Sequence, residues 1–320
     1  MNNSQIGSVA LTLAVFIATV HCFGYFSERF KQPRLVGEIL AGVLLGPFCL
    51  GQWAPGFYAA ILGQGAGTAS INEVVLNFIY WVGLFMLMFI SGAGARRLMA
   101  AENQKQTLWL LGIGTPLPFF LVLGLGLAAL LPLKAITGTA GQETSALLVL
   151  AIAVSVTSIP VISRIFQDLG IIHTRFASII LGSAVLEDII LWAVLAVATS
   201  LVKTTGNEQV LNEVAGHLGG TSLFMFVGLV VAPPLLRKLH RARWNIVYRA
   251  SPRGYVTALI FGYIALASYL DVNLVFGAFL AGFGIVGGVH GPDRTLFEQP
   301  IEAISDISNS LFIPVYFAFV

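Results

Sequence analysis

Charged residues are scarce in this sequence, and their scarcity excludes a soluble globular protein. Only 10% of the 320 residues are Asp, Glu, Lys or Arg, whereas 57% are hydrophobic. An ordinary soluble domain has about 25% charged residues, because most of its surface faces water. A helical membrane protein fits these proportions instead, since each spanning helix needs about 20 mostly apolar residues. The sequence is long enough for about ten such helices with short loops.

The sequence also has few cysteines and little net charge. The two cysteines, Cys22 and Cys49, lie in apolar runs, so the sequence predicts no disulfide framework and no resident metal or cofactor. A net charge of only +2 does not indicate a protein that binds nucleic acids. Residues 1–5 contain no Lys or Arg, and the apolar run behind them is longer than the core of a signal peptide. We therefore interpret this run as a retained first membrane helix.

The apolar runs predict ten membrane helices, numbered in chain order, with boundaries uncertain by about 2–4 residues. Helices 8 and 9 are separated only by Asp271, so a single tight hairpin is an alternative. The tenth helix is still running at Val320. The predicted helices are 6–27, 34–50, 72–91, 106–132, 143–167, 175–202, 217–237, 254–270, 272–289 and a tenth that starts near 303.

The distribution of basic residues predicts the orientation. Of the 17 Lys and Arg residues, all except Lys134 and Lys203 fall on one side of the predicted helices. Cytoplasmic loops are rich in Lys and Arg, so this side faces the cytoplasm and the N-terminus lies outside. The basic loop between helices 7 and 8 is either a topology signal, which we favour, or a patch that binds lipids or a partner.

A glycine motif occurs twice, in helices that cross the membrane in opposite directions. Helix 2 contains Gly37-Glu-Ile-Leu-Ala-Gly42, and helix 9 contains Gly277-Ala-Phe-Leu-Ala-Gly282. Such a pair is typical of the inverted repeats of transporters, although small residues also recur in packed membrane helices in general. The helices that follow, 3 and 10, match loosely as well. We therefore expect a first repeat over about 34–202 and the start of a second over about 272–320.

Two adjacent acids, Glu187 and Asp188, lie near the middle of helix 6. One charge at the membrane centre costs about 2.5–3.5 kcal/mol on insertion scales, so two need a compensating role. Neighbouring helical positions point about 100° apart, so we expect one carboxyl to face an aqueous cavity and the other a protein partner. Ser183, one turn earlier, is placed to hydrogen-bond Glu187. The alternative is a pair of protonated acids that face the bundle without a transport role.

Helix 5 contains a predicted break. Pro160 lacks an N–H and interrupts the backbone hydrogen bonds. Ser155, Thr157 and Ser158 offer hydroxyl oxygens beside the carbonyls that the break sets free. Unwound backbone at membrane depth is tolerated where it lines a cavity, and there it binds cations. An ordinary proline kink is the alternative, but the acids of the next helix favour an ion site.

Other charged residues receive a plainer interpretation. Glu38 lies in helix 2 just inside the cytoplasmic boundary, where it either guards an entrance or, as we favour, extends to the interface. Arg164, Asp168 and Arg175 flank the loop between helices 5 and 6. We expect these three to form a solvated charge cluster.

With these motifs the sequence resembles the monovalent cation:proton antiporter-2 family, which includes bacterial sodium/proton antiporters and the transport domains of potassium efflux systems. The resemblance implies an all-α inverted-repeat fold of thirteen helices with crossed discontinuous helices, about ten of them present here, and a homodimer with an elevator motion. Asp188 matches the ion-binding aspartate, while Glu187 departs from the usual Asp or Asn. The resembling stretches are 32–47, 155–170, 180–195, 277–282 and 311–320.

The sequence therefore predicts a secondary antiporter of the plasma membrane, with a role in pH homeostasis, that exchanges Na⁺ or K⁺ for protons. A carboxylate that binds either a proton or a cation is the minimum machinery for this exchange. No enzyme activity is expected, because the predicted helices contain no metal-spacing cluster and no nucleophile–base pair at membrane depth. The residue types do not distinguish Na⁺ from K⁺, because selectivity for ion size depends on the geometry of the ligands. The alternatives are a channel-like cation pathway and a non-transporting membrane scaffold or sensor.

The repeat argument also implies a longer protein. Repeat one, helices 2–6, has five helices, whereas only the first two helices of repeat two precede Val320. We expect about three further helices, including a second broken helix that crosses the first. On this hypothesis the 320-residue chain is inactive by itself and less stable than a version extended by these helices.

Overall fold

The computed structural model describes residues 2–62, 70–98, 104–137, 142–171, 174–203, 219–220, 223–242, 244–270, 272–287 and 294–319, and the regular secondary structure among them is helical. Two π-helical segments, Val227–Val231 and Ser308–Phe312, precede α12 and α17. The α-helices are α1 Asn3–Arg29, α2 Arg34–Leu45, α3 Leu50–Trp53, α4 Pro55–Leu62, α5 Ile71–Leu98, α6 Gln104–Gly114, α7 Pro116–Leu127, α8 Leu133–Ile136, α9 Glu143–Ser155, α10 Ile159–Asp168, α11 Arg175–Lys203, α12 Ala232–Arg241, α13 Ile246–Ala250, α14 Pro252–Tyr269, α15 Leu274–Gly287, α16 Arg294–Ile307 and α17 Ile313–Phe319.

The lengths and compositions of the helices make this an integral membrane protein. Five helical stretches among the described residues are long and apolar enough to cross a bilayer. Two shorter apolar helices, Glu143–Ser155 and Leu274–Val286, accompany them. The five long stretches are Asn3–Arg29, Arg34–Trp53, Ile71–Gly94, Lys105–Leu127 and Leu223–His240.

Two of the predicted helices differ in the structure, while predicted helices 8 and 9 are present as two helices. Predicted helix 4 is divided into α6 and α7 at Pro116, whose missing N–H interrupts the backbone ladder. The tenth helix begins at Arg294 rather than near 303, because its first turns carry charges that hydropathy does not register. Predicted helices 8 and 9 are two separate helices, α14 and α15, that pack together. Asp271, the predicted break between them, lies outside the described residues.

The helices pack in two groups with α10 between them. In the first group, α1, α2, α5, α14, α15 and α17 contact one another extensively. In the second group, α6, α7, α9 and α11 form most of their contacts among themselves. The short α10 contacts α2 and α5 of the first group and α11 of the second. The position of α10 therefore depends on both groups.

The largest buried cluster lies where α5 crosses α15. Phe89 is fully buried there, and Phe279 of α15 packs in the same cluster. Gly92 and Gly282 allow the two backbones to touch. A Cβ on Gly92 would collide with the carbonyl oxygen of Phe279, and a Cβ on Gly282 would collide with that of Phe89. The contact therefore requires glycine on both helices.

Candidate functional site

The predicted helix break is present in the structure. Helix α9 ends at Ser155, and α10 begins at Ile159. Val156, which follows α9, has an extended backbone with φ −72° and ψ 134°. Pro160 is the second residue of α10, a position where the missing N–H costs no helical hydrogen bond. The discontinuity thus follows directly from the sequence.

The oxygens around the break differ in their surroundings. The buried Ser155 hydroxyl donates to the carbonyl oxygen of Ala151 at 2.7 Å, within its own helix. Thr157 is half-buried, and Ser158 is exposed. The carbonyl oxygens at the end of α9 lack helical partners, and they carry the negative end of its dipole, while the N-terminus of α10 carries the positive end. The break therefore brings oxygen ligands and opposite partial charges together.

Asp188 lies at this break. It lines a cavity of about 10 Å³ together with Met88, Ile159, Met225, Phe276 and Phe279. Ile159 is the first residue of α10, so the carboxyl-bearing helix α11 meets the broken helix at its interruption. The cavity is close to the smallest volume that holds one water molecule. Among the described residues, Asp188 is the only acidic side chain that lines this cavity, and the other lining side chains are apolar.

Glu187 occupies a different environment from Asp188. It is buried, with 4% of its surface exposed, and its Oε2 has no hydrogen-bond partner among the described residues. The predicted hydrogen bond from Ser183 is not formed, since the Ser183 hydroxyl donates to the carbonyl oxygen of Ile180 at 3.0 Å. Serine in a helix often bonds the carbonyl of the preceding turn in this way. The two acids thus diverge, as their helical spacing implies.

A larger cavity leads to the break from another side. It has a volume of about 680 Å³ and includes Glu73, Gly46, Tyr58, Tyr316 and Ser158 in its lining. Glu73 lies in the first turn of α5. Ser158 lies in the break itself. The cavity therefore extends from the start of α5 to the exposed Ser158 of the interrupted turn.

The sequence interpretation missed one polar cluster. Glu38 does not extend to the interface, because it is fully buried. Arg164 and Asp168 do not form a solvated cluster, since the Arg164 side chain is only 7% exposed and lies 3.4 Å from the carboxylates of both Glu38 and Asp168. The signal available in the sequence was the spacing of Arg34 and Glu38, which favours an ion pair along a helix.

Several apolar spans, a broken helix and an acid near the break are the arrangement expected of a secondary transporter. The chain belongs to the transmembrane sodium/hydrogen exchanger family, which matches residues 13–320. This membership confirms the family resemblance seen in the sequence motifs. It also places the protein among transporters and not among enzymes.

Individual relatives are similar along nearly the whole chain. The chain is 26% identical over 314 residues to cation/H⁺ antiporter 18 of Arabidopsis thaliana, covering 96% of this chain and 36% of that protein. It is 29% identical over 304 residues to K⁺/H⁺ antiporter 1 of Saccharomyces cerevisiae, covering 90% and 32%. It is 22% identical over 322 positions to the Na⁺/H⁺ antiporter NhaS4 of Synechocystis, covering 100% and 74%. The chain thus spans about a third of the plant and yeast proteins.

Proposed function

We propose that the protein is a secondary antiporter that exchanges a monovalent cation, Na⁺ or K⁺, for protons. The observation that carries this proposal is that Asp188 lines the same small cavity as Ile159, the residue where the broken helix resumes. Antiporters of both ions occur among its relatives, the cyanobacterial one being named for Na⁺ and the yeast one for K⁺. Asp188 binds a proton and a cation in turn, and this competition couples the two fluxes.

The broken turn supplies the remaining ligands of the cation. A small cation that leaves water needs oxygens to replace its hydration shell, and the freed carbonyls with the Thr157 and Ser158 hydroxyls are such oxygens. The Ser155 hydroxyl donates its hydrogen to the carbonyl oxygen of Ala151 at the end of α9. Pro160 keeps the turn open because it cannot restore the helical hydrogen bond. The Ser183 hydroxyl forms its hydrogen bond within α11, one turn before Glu187 and Asp188.

The glycine contacts support an inverted repeat. Gly42 of α2 lies against the backbone of Ala318 in α17, and Gly282 of α15 lies against the backbone of Phe89 in α5. The two helices that carry the motif therefore each touch a helix of the other proposed repeat. A two-fold pseudosymmetry that relates α2 and α5 to α15 and α17 would produce this reciprocal arrangement.

The first glycine of each motif extends the correspondence by one helix. Gly37 of α2 approaches the carbonyl of Phe23 in α1, and a Cβ on Gly277 of α15 would lie 2.8 Å from the carbonyl oxygen of Tyr263 in α14. Helix α1 thus relates to α2 as α14 relates to α15. We infer that the first repeat also includes α1 and the second also includes α14, in addition to the ranges 34–202 and 272–320.

The family resemblance supports a homodimer in the plasma membrane.

The direct test is cation-dependent proton movement in everted membrane vesicles from cells that express the protein from its complete natural gene. Acid-loaded vesicles should lose their pH gradient when Na⁺ or K⁺ is added, but not when choline is added. The apparent affinity for the cation should fall as the pH falls, because protons occupy Asp188 in competition. A voltage-dependent cation current without proton movement would instead identify a channel and overturn the proposal.

Glu187→Gln is expected to preserve exchange but to move its pH profile. Glu187 is buried away from the Asp188 cavity, so it affects the ion through its charge and not as a ligand. Removing a neighbouring negative charge changes the electrostatic potential at Asp188, so the pH range over which exchange occurs should move. The same vesicle assay at a series of pH values measures the shift.

Glu143→Gln is the matched control for Glu187→Gln, because Glu143 is an exposed acid at the start of α9. It should leave the profile unchanged. If Glu187→Gln abolishes exchange as completely as the loss of Asp188, Glu187 is itself a ligand and the division of roles between the two acids is wrong.

A further inference from the structure

A buried ionic cluster holds the far end of α10. The Arg164 guanidinium donates to Asn309 Oδ1 at 2.6 Å and to Glu38 Oε1 at 3.4 Å. Its Nε lies 3.4 Å from Asp168 Oδ1, one turn further along α10. Asp168 in turn accepts a hydrogen bond from the backbone N–H of Leu35 at 3.4 Å. The cluster therefore joins α10 to the start of α2 and to the π segment Ser308–Phe312.

The partners of Arg164 are themselves held in place. The Arg34 Nε lies 3.5 Å from Glu38 Oε1. Arg34 also contacts His21 of α1, whose Nε2 donates to the carbonyl oxygen of Ser310 at 2.8 Å. Helices α1 and α2 and the π segment Ser308–Phe312 thus form one support for Arg164.

The position of α10 is decided by side chains. The non-helical residues 156–158 separate it from α9, so no continuous helix imposes its location. On its apolar side, Val161 and Ile165 pack in a cluster with Leu87 and Ile313. Apolar contacts of this kind have little directional preference. The Arg164 guanidinium, with a fixed fork of donors, adds the directional contact.

We propose that Arg164 is a positioning residue for the ion site: by anchoring α10 to Glu38 and Asn309, it sets where Thr157 and Ser158 lie relative to Asp188. Arg164 is five residues from Ile159, or about 7.5 Å along the helix axis, so a shift at one end of α10 moves the other. This inference rests on the proposed function, because it concerns the same site. Both members of the Glu38–Arg164 pair are buried, so neither charge can exchange its partner for water.

The test compares Arg164→Gln with the wild-type protein in the vesicle assay. Arg164→Gln should raise the cation concentration for half-maximal exchange about tenfold, which corresponds to about 1.4 kcal/mol. The maximal rate should change much less, because Asp188 remains in place. Arg164→Lys should give an intermediate value, since lysine restores the charge but lacks the fork that serves Glu38 and Asn309 together. Arg249→Gln, at an exposed arginine of α13, is the matched control.

Folding defects are separated from positioning by a double variant. Arg164→Gln alone leaves the buried Glu38 with only Arg34, which can impair folding. Glu38→Gln combined with Arg164→Gln removes both charges, so it should fold better than either single variant and still show the raised cation requirement. A folded Arg164→Gln or double variant with the wild-type cation requirement would overturn the inference.

A second measurement distinguishes this inference from the proposed function. Ser158→Cys, in a background with Cys22 and Cys49 replaced by serine, places a thiol in the exposed break. If Arg164 sets the position of the turn, adding Arg164→Gln should change the rate of thiol labelling several-fold, whereas Arg249→Gln should not. An unchanged labelling rate contradicts the inference even if exchange is observed. If the labelling rate changes but the wild-type protein shows no cation-dependent proton exchange, the positioning role of Arg164 stands and only the proposed function is refuted.

Discussion

Asp188→Asn is expected to abolish cation-dependent proton exchange while the protein still folds. Asparagine has nearly the same size as aspartate, so the small cavity with Met88 and Ile159 is preserved. It can neither release a proton nor offer a negative charge to a cation. The attraction of two unit charges at about 4 Å is worth about 4 kcal/mol at an effective dielectric constant of 20. Losing that attraction weakens cation binding roughly a thousandfold.

The measurement is the loss of the pH gradient in everted vesicles after addition of Na⁺, K⁺ or Li⁺, with protein amount and monodispersity checked in parallel. Asp306→Asn is the matched control, because Asp306 is an exposed aspartate of α16 and should be dispensable. If vesicles with folded Asp188→Asn exchange at the wild-type rate, Asp188 does not carry the proton and the proposed mechanism fails.

Gly282→Ala is expected to cause the largest loss of stability among single methyl additions to α15. The new Cβ would collide with the carbonyl oxygen of Phe89, which is backbone and cannot rotate away as a side chain can. Helices α5 and α15 would have to separate along the most extensive contact of the described residues. Overpacking of this kind costs about 1–3 kcal/mol even when side chains can adjust, so we expect a value at the upper end or beyond.

The melting temperature of the purified protein in detergent, with and without the substitution, measures this effect. Gly262→Ala is the matched control, because Gly262 lies in the neighbouring α14 and a Cβ there meets no atom within 4 Å. That variant should melt at or slightly above the wild-type temperature, since alanine favours a helix. Equal melting temperatures for Gly282→Ala and Gly262→Ala would show that the two backbones are not in close contact.

The class of protein and the local features of the site are determined by the sequence itself. Composition and apolar runs suffice for a multi-span membrane protein, because the bilayer imposes a uniform requirement on every spanning segment. Pro160 favours a break before Ile159 through its own backbone, although Pro300 lies inside the uninterrupted α16. The divergence of Glu187 and Asp188 follows from helical geometry alone. Each of these depends on interactions within one short segment.

The partners of the charged residues were decided only by the tertiary structure. Glu38 and Arg164 are 126 positions apart, and nothing in either segment indicates that the two side chains meet. Likewise, the sequence does not show that Gly282 touches Phe89 or that Asp188 reaches Ile159. Such pairings depend on how whole helices cross, which is set by the summed packing of many side chains. Hydropathy and spacing describe single helices, so they identify the ingredients of the site while the fold decides which of them come together.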